Sequence, residues 1–184
     1  MNKIKALILA AIVALSSFVV NAQNELTAEQ MIPVRVLMLQ NDNIDADALA
    51  VLYNRLNQAV TLNGLGSVSD ENRFLIVPSV TVLSNIATAS VPVQYMAEVE
   101  VSVYFVDNVN KTILAQETIT KNGMDSSDDL AVAKAIKLIQ ARDPKLKKLI
   151  KLGKERAAEY DASTVTTDKD SGDPDVSWIF NEEK

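Results

Sequence analysis

The chain contains no cysteine and no histidine among its 184 residues. Without cysteine it forms no disulfide bond and offers no thiol for a lipoprotein anchor. Without histidine it lacks the commonest general base and zinc ligand, so a hydrolase of the Ser-His-Asp type is excluded. The folded protein must therefore be held together by its hydrophobic core, and any catalysis must depend on carboxylates.

Positively charged residues are fewer than negatively charged ones. The chain has 18 Lys and Arg residues against 24 Asp and Glu residues, which gives a net charge of −6. Because an acidic chain is repelled by phosphate backbones, we expect no nucleic-acid partner. The hydrophobic fraction of 48% is sufficient for one globular domain with additional segments at its ends.

The carboxylates occur in three groups without a diagnostic spacing: Asp42, Asp45 and Asp47; Asp128 and Asp129; Asp168, Asp170, Asp173 and Asp175. Glycoside hydrolysis needs two acids that face each other across a cleft, whereas Asp128 and Asp129 suit the positive end of a helix dipole. Asp173 stands where a calcium-binding loop requires glycine, and Gly64-Leu65-Gly66 lacks the third glycine of a dinucleotide-binding loop. We therefore expect no catalytic site, no cofactor and no metal site. A carboxylate-dependent glycan hydrolase is the alternative.

The first 22 residues have the pattern of a secretory signal peptide. Lys3 and Lys5 form a basic start, residues 6–20 are mostly apolar, and residues 20–22 suit cleavage by a signal peptidase. This apolar stretch is shorter than the roughly 20 residues that span a bilayer. Cleavage after residue 22 takes the net charge from −6 to −8. We expect a periplasmic or secreted protein that begins with a short arm, residues 23–31.

The clearest structural signal is a β-hairpin in the middle of the chain, residues 91–120. From 97 to 105 every odd position is apolar, which predicts a strand with one buried and one exposed face. A polar turn at 107–111 leads into a return strand over 112–120. Three residues of the return strand are expected on the buried face: Ile113, Ala115 and Ile119.

The flanking segments complete a predicted α+β domain. Apolar, β-rich runs predict strands over 32–39 and 74–83. Apolar residues spaced three and four apart predict three amphipathic helices. These helices begin after Asn43 or Asp45, after Ser126 or Ser127, and at Asp143-Pro144. The order β-α-β-β-β-α-α over 32–160 therefore predicts a single domain with a mixed or antiparallel sheet and the helices packed on one face.

The last predicted helix has a basic surface. Its candidate partner-binding residues are Lys145, Lys147, Lys148, Lys151, Lys154 and Arg156. Such a surface is either simply solvated or a docking surface for an acidic partner, an anionic membrane surface or the chain's own tail. Residues 161–184 are expected to form an acidic, flexible tail, in which Trp178 is the candidate anchor for docking on the basic helix.

Three segments together resemble a bacterial envelope domain. They are the apolar run 74–83, the strand from Val99 to its Val-Asp end at Asp107, and the alanine-rich helix from Ala131 to Ile139. Over residues 32–140 this pattern resembles the α+β domain shared by the curli secretion channel protein, the N-terminal domain of the Tol β-propeller protein and the outer-membrane activators of penicillin-binding proteins. Because the chain lacks the lipoprotein cysteine, neither channel formation nor lipid anchoring carries over.

These observations predict an exported, non-catalytic binding or assembly module of the cell envelope. Its partner is expected to be an envelope protein or a second copy of the chain, bound through the sheet edge, the basic helix or the tail. A secreted, self-associating structural subunit is the second alternative to this function.

Overall fold

The computed structural model describes residues 32–38, 40–67, 73–161 and 174–180. All of them belong to one compact unit. The expected signal peptide, 1–22, and the expected arm, 23–31, lie outside the described residues.

The fold is α+β, and its elements follow the predicted order. The strands are β1 (Pro33–Val36), β2 (Gly66–Ser67), β3 (Phe74–Ala87), β4 (Tyr95–Asp107) and β5 (Thr112–Asp125). The α-helices are α1 (Ala46–Leu62), α2 (Asp128–Lys137) and α3 (Pro144–Asp161). The strand order β2-β1-β3-β4-β5 is a mixed sheet, because β1 runs parallel to β2 and β3 while β3, β4 and β5 are antiparallel. The two-residue strand β2 is an addition to the predicted order.

The three helices cover one face of the sheet, as predicted. From 97 to 105 the odd positions of β4 are each exposed by 1% or less: Ala97, Val99, Val101, Val103 and Phe105. They pack in one cluster with Leu52 of α1, Ile136 of α2 and Leu149 of α3. The period-2 alternation of the sequence therefore located the core correctly.

Side-chain caps start the helices at the predicted residues. Asp45 Oδ1 accepts a hydrogen bond from the N–H of Ala48 at 2.7 Å, and Ser127 Oγ accepts one from the N–H of Leu130 at 3.3 Å. Asp143 caps α3 in the same way. Each cap satisfies an N–H that has no acceptor within the first turn of its helix.

A β-bulge changes the predicted faces of β5. Phe105 pairs with Ala115 but Val106 pairs with Ile113, so Leu114 is the extra residue. Leu114 is buried in the main core, whereas Ile113 lies on the opposite face of the sheet. The prediction that Ile113 shares the core face with Ala115 is therefore wrong, because one inserted residue exchanges the faces of the residues beyond it.

The hairpin of β3 and β4 is longer than the sequence predicts. β3 passes through a bulge at Leu83 and continues to Ala87, and the N–H of Thr88 donates to the carbonyl of Gln94 at 2.7 Å to close the connection. The side chains of 81–83 and 85–87 are exposed. This end of the hairpin therefore extends past the part of the sheet that the helices cover.

The described part of the tail packs on the face opposite the helices. Residues 177–180 form a 3₁₀ helix, and Ile179 is buried against Leu75, Val77 and Val106. The ring of Phe180 meets Tyr104 edge-on, with 5.9 Å between the ring centroids. The segment thus covers apolar outer-face side chains near the β4–β5 turn.

The β4–β5 turn supplies the polar contacts of the tail. Asn108 Oδ1 accepts from Trp178 Nε1 at 3.2 Å and from Lys111 Nζ at 3.0 Å. Lys111 Nζ also donates to the carbonyl of Asp175 at 3.4 Å. The turn itself is fixed by the buried Asp107, whose carboxylate accepts two backbone N–H groups of the turn at 3.1 Å. Residues 174–180 therefore lie on the sheet rather than on the basic helix, where docking was expected, and the flexibility of the tail stays a prediction.

Tail packing gives a spectroscopic prediction, since Trp178 is the only tryptophan. Replacing Ile179 by Asp places a charge against the apolar side chains of Leu75 and Val106 and should release the segment. We expect the tryptophan emission maximum to shift to longer wavelength while the far-ultraviolet circular dichroism of the domain is unchanged. Lys151→Glu on the opposite face is the control and should leave the emission unchanged. Identical spectra for the wild type and Ile179→Asp would contradict this packing.

Candidate functional site

Three of the predicted basic residues contact β5 rather than solvent alone. Lys145 Nζ donates to the carbonyl of Thr118, and Arg156 Nη1 donates to the carbonyl of Leu114. Lys148 Nζ lies 2.6 Å from Glu117 Oε1, also on β5. Since β5 is the last strand of the sheet, these cations cover backbone groups of an edge that would otherwise face solvent.

The remaining candidate residues are Lys147, Lys151, Lys154 and Trp178. Lys151 lies 3.8 Å from Glu155 in an i,i+4 pair, Lys147 is exposed and Lys154 is half-buried. Trp178 lies on the other face of the sheet, beside the β4–β5 turn. The structure thus separates Trp178 from the basic helix, and a role of the seven residues in partner binding stays a prediction.

The opposite edge of the sheet is open along much of β3. β1 is short and pairs only with Leu75 and Ile76 of β3. The last hydrogen bond between these segments runs from the N–H of Leu37 to the carbonyl of Ile76 at 2.9 Å. Beyond that point no strand of the described chain pairs with β3 on this side. We call residues 78–87 of β3 the open edge.

Hydrogen-bond alternation shows which backbone groups of the open edge point outward. In an antiparallel pair, alternate residues direct both N–H and C=O away from the partner strand. Ile76 bonds toward β1, Thr88 bonds back to Gln94 of the hairpin, and the bulge at Leu83 shifts the alternation by one residue. The residues that point outward are therefore Val80, Val82, Asn85 and Ala87, together with the carbonyl of Pro78, which has no N–H.

Exposed apolar side chains lie beside the open edge. Val82 and Leu83 are 40% and 50% exposed. On the outer face Ile86 pairs with Met96, and Met96 pairs with Met124, which gives a row across three strands with exposures of 52%, 36% and 43%. An exposed edge flanked by apolar side chains is typical of a surface that pairs with another chain.

Sequence reasoning named the sheet edge as one possible binding surface but did not locate it on β3, although a signal for its position exists. No Asp, Glu, Lys or Arg occurs between Arg73 and Glu98, a stretch of 24 residues in a chain that is 23% charged. Edge strands usually carry charges that prevent unwanted pairing. Such charges are absent from this edge, whereas the opposite edge, on β5, is covered by three cations of α3. This contrast makes the open edge the candidate functional site.

Two of the described carboxyl groups have a lowered pKa. Hydrogen bonds from Ser126, chiefly from its N–H, lower the pKa of Asp125, and those from the hydroxyl and N–H of Ser177 lower the pKa of Asp175. A general acid needs the opposite shift. An open groove of about 1010 Å³ between α1 and residues 140–142 is lined mainly by amide and arginine side chains, with no carboxylate among its lining residues.

Among the residues that the structure describes, no helix is both long and apolar enough to cross a membrane. The same part of the chain has no group of three potential metal ligands.

Comparison with known proteins gives weak structural likenesses. No family model and no curated sequence matches the chain. A candidate neuraminyllactose-binding hemagglutinin homologue from Helicobacter pylori is 15% identical with a TM-score of 0.44, and the match covers 71% of this chain and 91% of that one. A candidate lipoprotein from Caulobacter crescentus is 13% identical with a TM-score of 0.43, covering 68% and 91%. A minor lipoprotein from Acinetobacter baumannii is 10% identical with a TM-score of 0.36, covering 72% and 94%.

The similar structures thus include lipoproteins of bacteria, and the likeness to them is too weak to carry an argument about this chain. The resemblance to the domain of the curli, Tol and penicillin-binding-protein activator group is not confirmed by these comparisons. The candidate site therefore depends on the geometry of the open edge alone.

Proposed function

We propose that the chain is an exported, non-catalytic binding module of the cell envelope, and that its partner adds an extended strand to the open edge of β3. The observation that carries this proposal is the ten-residue edge at 78–87, which no strand of the described chain covers. Export is supported by the signal-peptide pattern of residues 1–22.

Strand addition matches the chemistry of this edge. Backbone N–H and C=O groups that point outward supply the hydrogen bonds, and they need no particular side chain on the partner. Side chains beside the edge then decide which strand fits. Because the edge is uncharged and is flanked by Val82, Leu83 and Ile86, it favours an uncharged, apolar strand over a charged one.

A matched pair of substitutions tests the proposal. Thr81 of β3 and Thr120 of β5 are both exposed and both pair with Glu100, so Lys at either position meets the same carboxylate. Thr81→Lys puts its charge at the open edge, whereas Thr120→Lys lies on the strand that α3 covers. We expect Thr81→Lys to weaken capture of a partner from envelope extract by about tenfold or more, because an edge lysine blocks strand pairing.

The control variant Thr120→Lys should capture the partner as the wild type does. Unfolding curves of both variants should match that of the wild type, since each replaces an exposed polar side chain. If both lysine variants retain full capture, the partner does not bind at the open edge and the proposal is wrong.

A further inference from the structure

We infer that the strand added at the open edge is the open edge of a second copy of this chain, so that two copies join their sheets in an antiparallel β3–β3 pair. This inference rests on the proposed function and names its partner. A pair related by a two-fold axis repeats every contact, so one suitable surface is enough to build it.

The outward backbone groups support one register. Val80, Val82, Asn85 and Ala87 point outward, and the bulge at Leu83 makes the middle interval three residues instead of two. In an antiparallel pair, Val80 opposite Ala87 of the second copy also sets Val82 opposite Asn85. The three-residue spacings between Val82 and Asn85 in the two copies then lie opposite each other. Each of the four outward residues can therefore donate one backbone hydrogen bond and accept one.

Side-chain faces agree with the same register. Val80 and Val82 lie on the helix-covered face through their pairing with Val101 and Val99. Asn85 and Ala87 lie on that face too, because they pair with Ala97 and Tyr95. Opposed residues therefore share a face, and the helices of both copies lie on the same side of the continuous sheet.

The distribution of charge favours the β3 edge of a second copy as the added strand, over the other strands of this chain and over a charged partner. The chain is acidic overall, with a net charge of −6, so two copies repel each other across most surfaces. The stretch from 74 to 97 is uncharged and allows close approach without like charges opposite each other. Among the longer strands of the described chain, β1, β4 and β5 all carry charged residues, and β3 is the uncharged one.

The test introduces a positive or a negative charge near the middle of the paired edge and then mixes the two variants. In the register given above Ser84 lies opposite Leu83 of the second copy, next to the two-fold axis. The two Ser84 residues are therefore diagonal neighbours, and Lys at this position in both copies, or Glu in both, brings like charges close together. We expect the full-length wild type to be a dimer in sedimentation equilibrium. Ser84→Lys alone and Ser84→Glu alone should each raise the dimer dissociation constant about tenfold, and their equimolar mixture should restore dimerisation.

Asn122→Lys is the matched control, since Asn122 and Ser84 both pair with Glu98 and Asn122 lies on β5. It should leave the dimer intact. Hydrogen exchange gives an independent readout: the amides of Val82 and Asn85 should become protected as protein concentration rises.

A wild type that is monomeric at all concentrations, with unprotected edge amides, overturns self-pairing. If Thr81→Lys still abolishes capture of another envelope protein in that case, the open edge binds a different strand and the proposed function stands. If Thr81→Lys has no effect either, both inferences fail together.

Discussion

Val101→Asp is expected to unfold the domain. Val101 is 1% exposed, lies between Val80 and Ile119 in the sheet and belongs to the main core. A carboxylate buried there without a partner costs several kcal/mol, which is comparable to the total stability of about 5–15 kcal/mol of a typical domain. Loss of the cooperative unfolding transition, followed by circular dichroism during heating and in urea, is the measurement.

Glu100→Lys is the control on the neighbouring residue. Its side chain lies on the outer face between Thr81 and Thr120. We expect a change in unfolding free energy within about 1 kcal/mol, because the substitution exchanges one partly solvated charge for another. Equal thermal stability of Val101→Asp and Glu100→Lys would show that the faces of β4 are assigned wrongly.

The contrast between these two residues explains which parts of the fold were predictable. The faces of β4 follow from alternation within the strand, and helix starts follow from caps such as Asp45 and Ser127. Both are local properties of the sequence. The element order and the α+β class follow from them because an amphipathic strand and an amphipathic helix must bury their apolar sides against each other.

The errors arise where a distant residue decides the outcome. The bulge at Leu114 sends Ile113 to the outer face, and no local pattern marks which residue of β5 is the inserted one. The tail was expected on the basic helix because charge is visible in composition. Its described segment instead packs where Ile179 is buried and Asn108 accepts from Trp178. Asn108 and Trp178 lie 70 residues apart in the chain, and the partners of Ile179 are at least as distant.

The candidate site shows the same limit. Spacing correctly indicated that the cations of α3 point away from the core, but it could not show that Lys145 and Arg156 reach carbonyls of β5. The open edge was detectable as a long uncharged stretch. That stretch is an open edge only because β1 ends at Val36, which is a property of the assembled sheet.

Gly123→Ala is the second substitution with a large expected effect. Gly123 of β5 pairs with Ala97 of β4, and the backbone of α2 crosses directly above Gly123. A Cβ on residue 123 would lie 2.0 Å from the carbonyl oxygen of Ala131 and 2.5 Å from the backbone nitrogen of Ala135. Backbone atoms cannot swing aside as a side chain can, so α2 must shift away from the sheet and lose packing. We expect a loss of about 3 kcal/mol in unfolding free energy, or about 10 °C in Tm.

Gly64→Ala separates this steric effect from the general cost of replacing glycine. Gly64 follows α1 with a φ of +75°, and an added Cβ meets no atom within 4 Å. Its substitution should therefore cost only the strain of a left-handed backbone conformation, about 1 kcal/mol. If Gly64→Ala destabilises the domain as much as Gly123→Ala does, the contact between α2 and β5 is looser than described. A larger loss for Gly123→Ala, with unchanged dimerisation of the folded fraction, would show that close packing of α2 on β5 stabilises the core without shaping the open edge on β3.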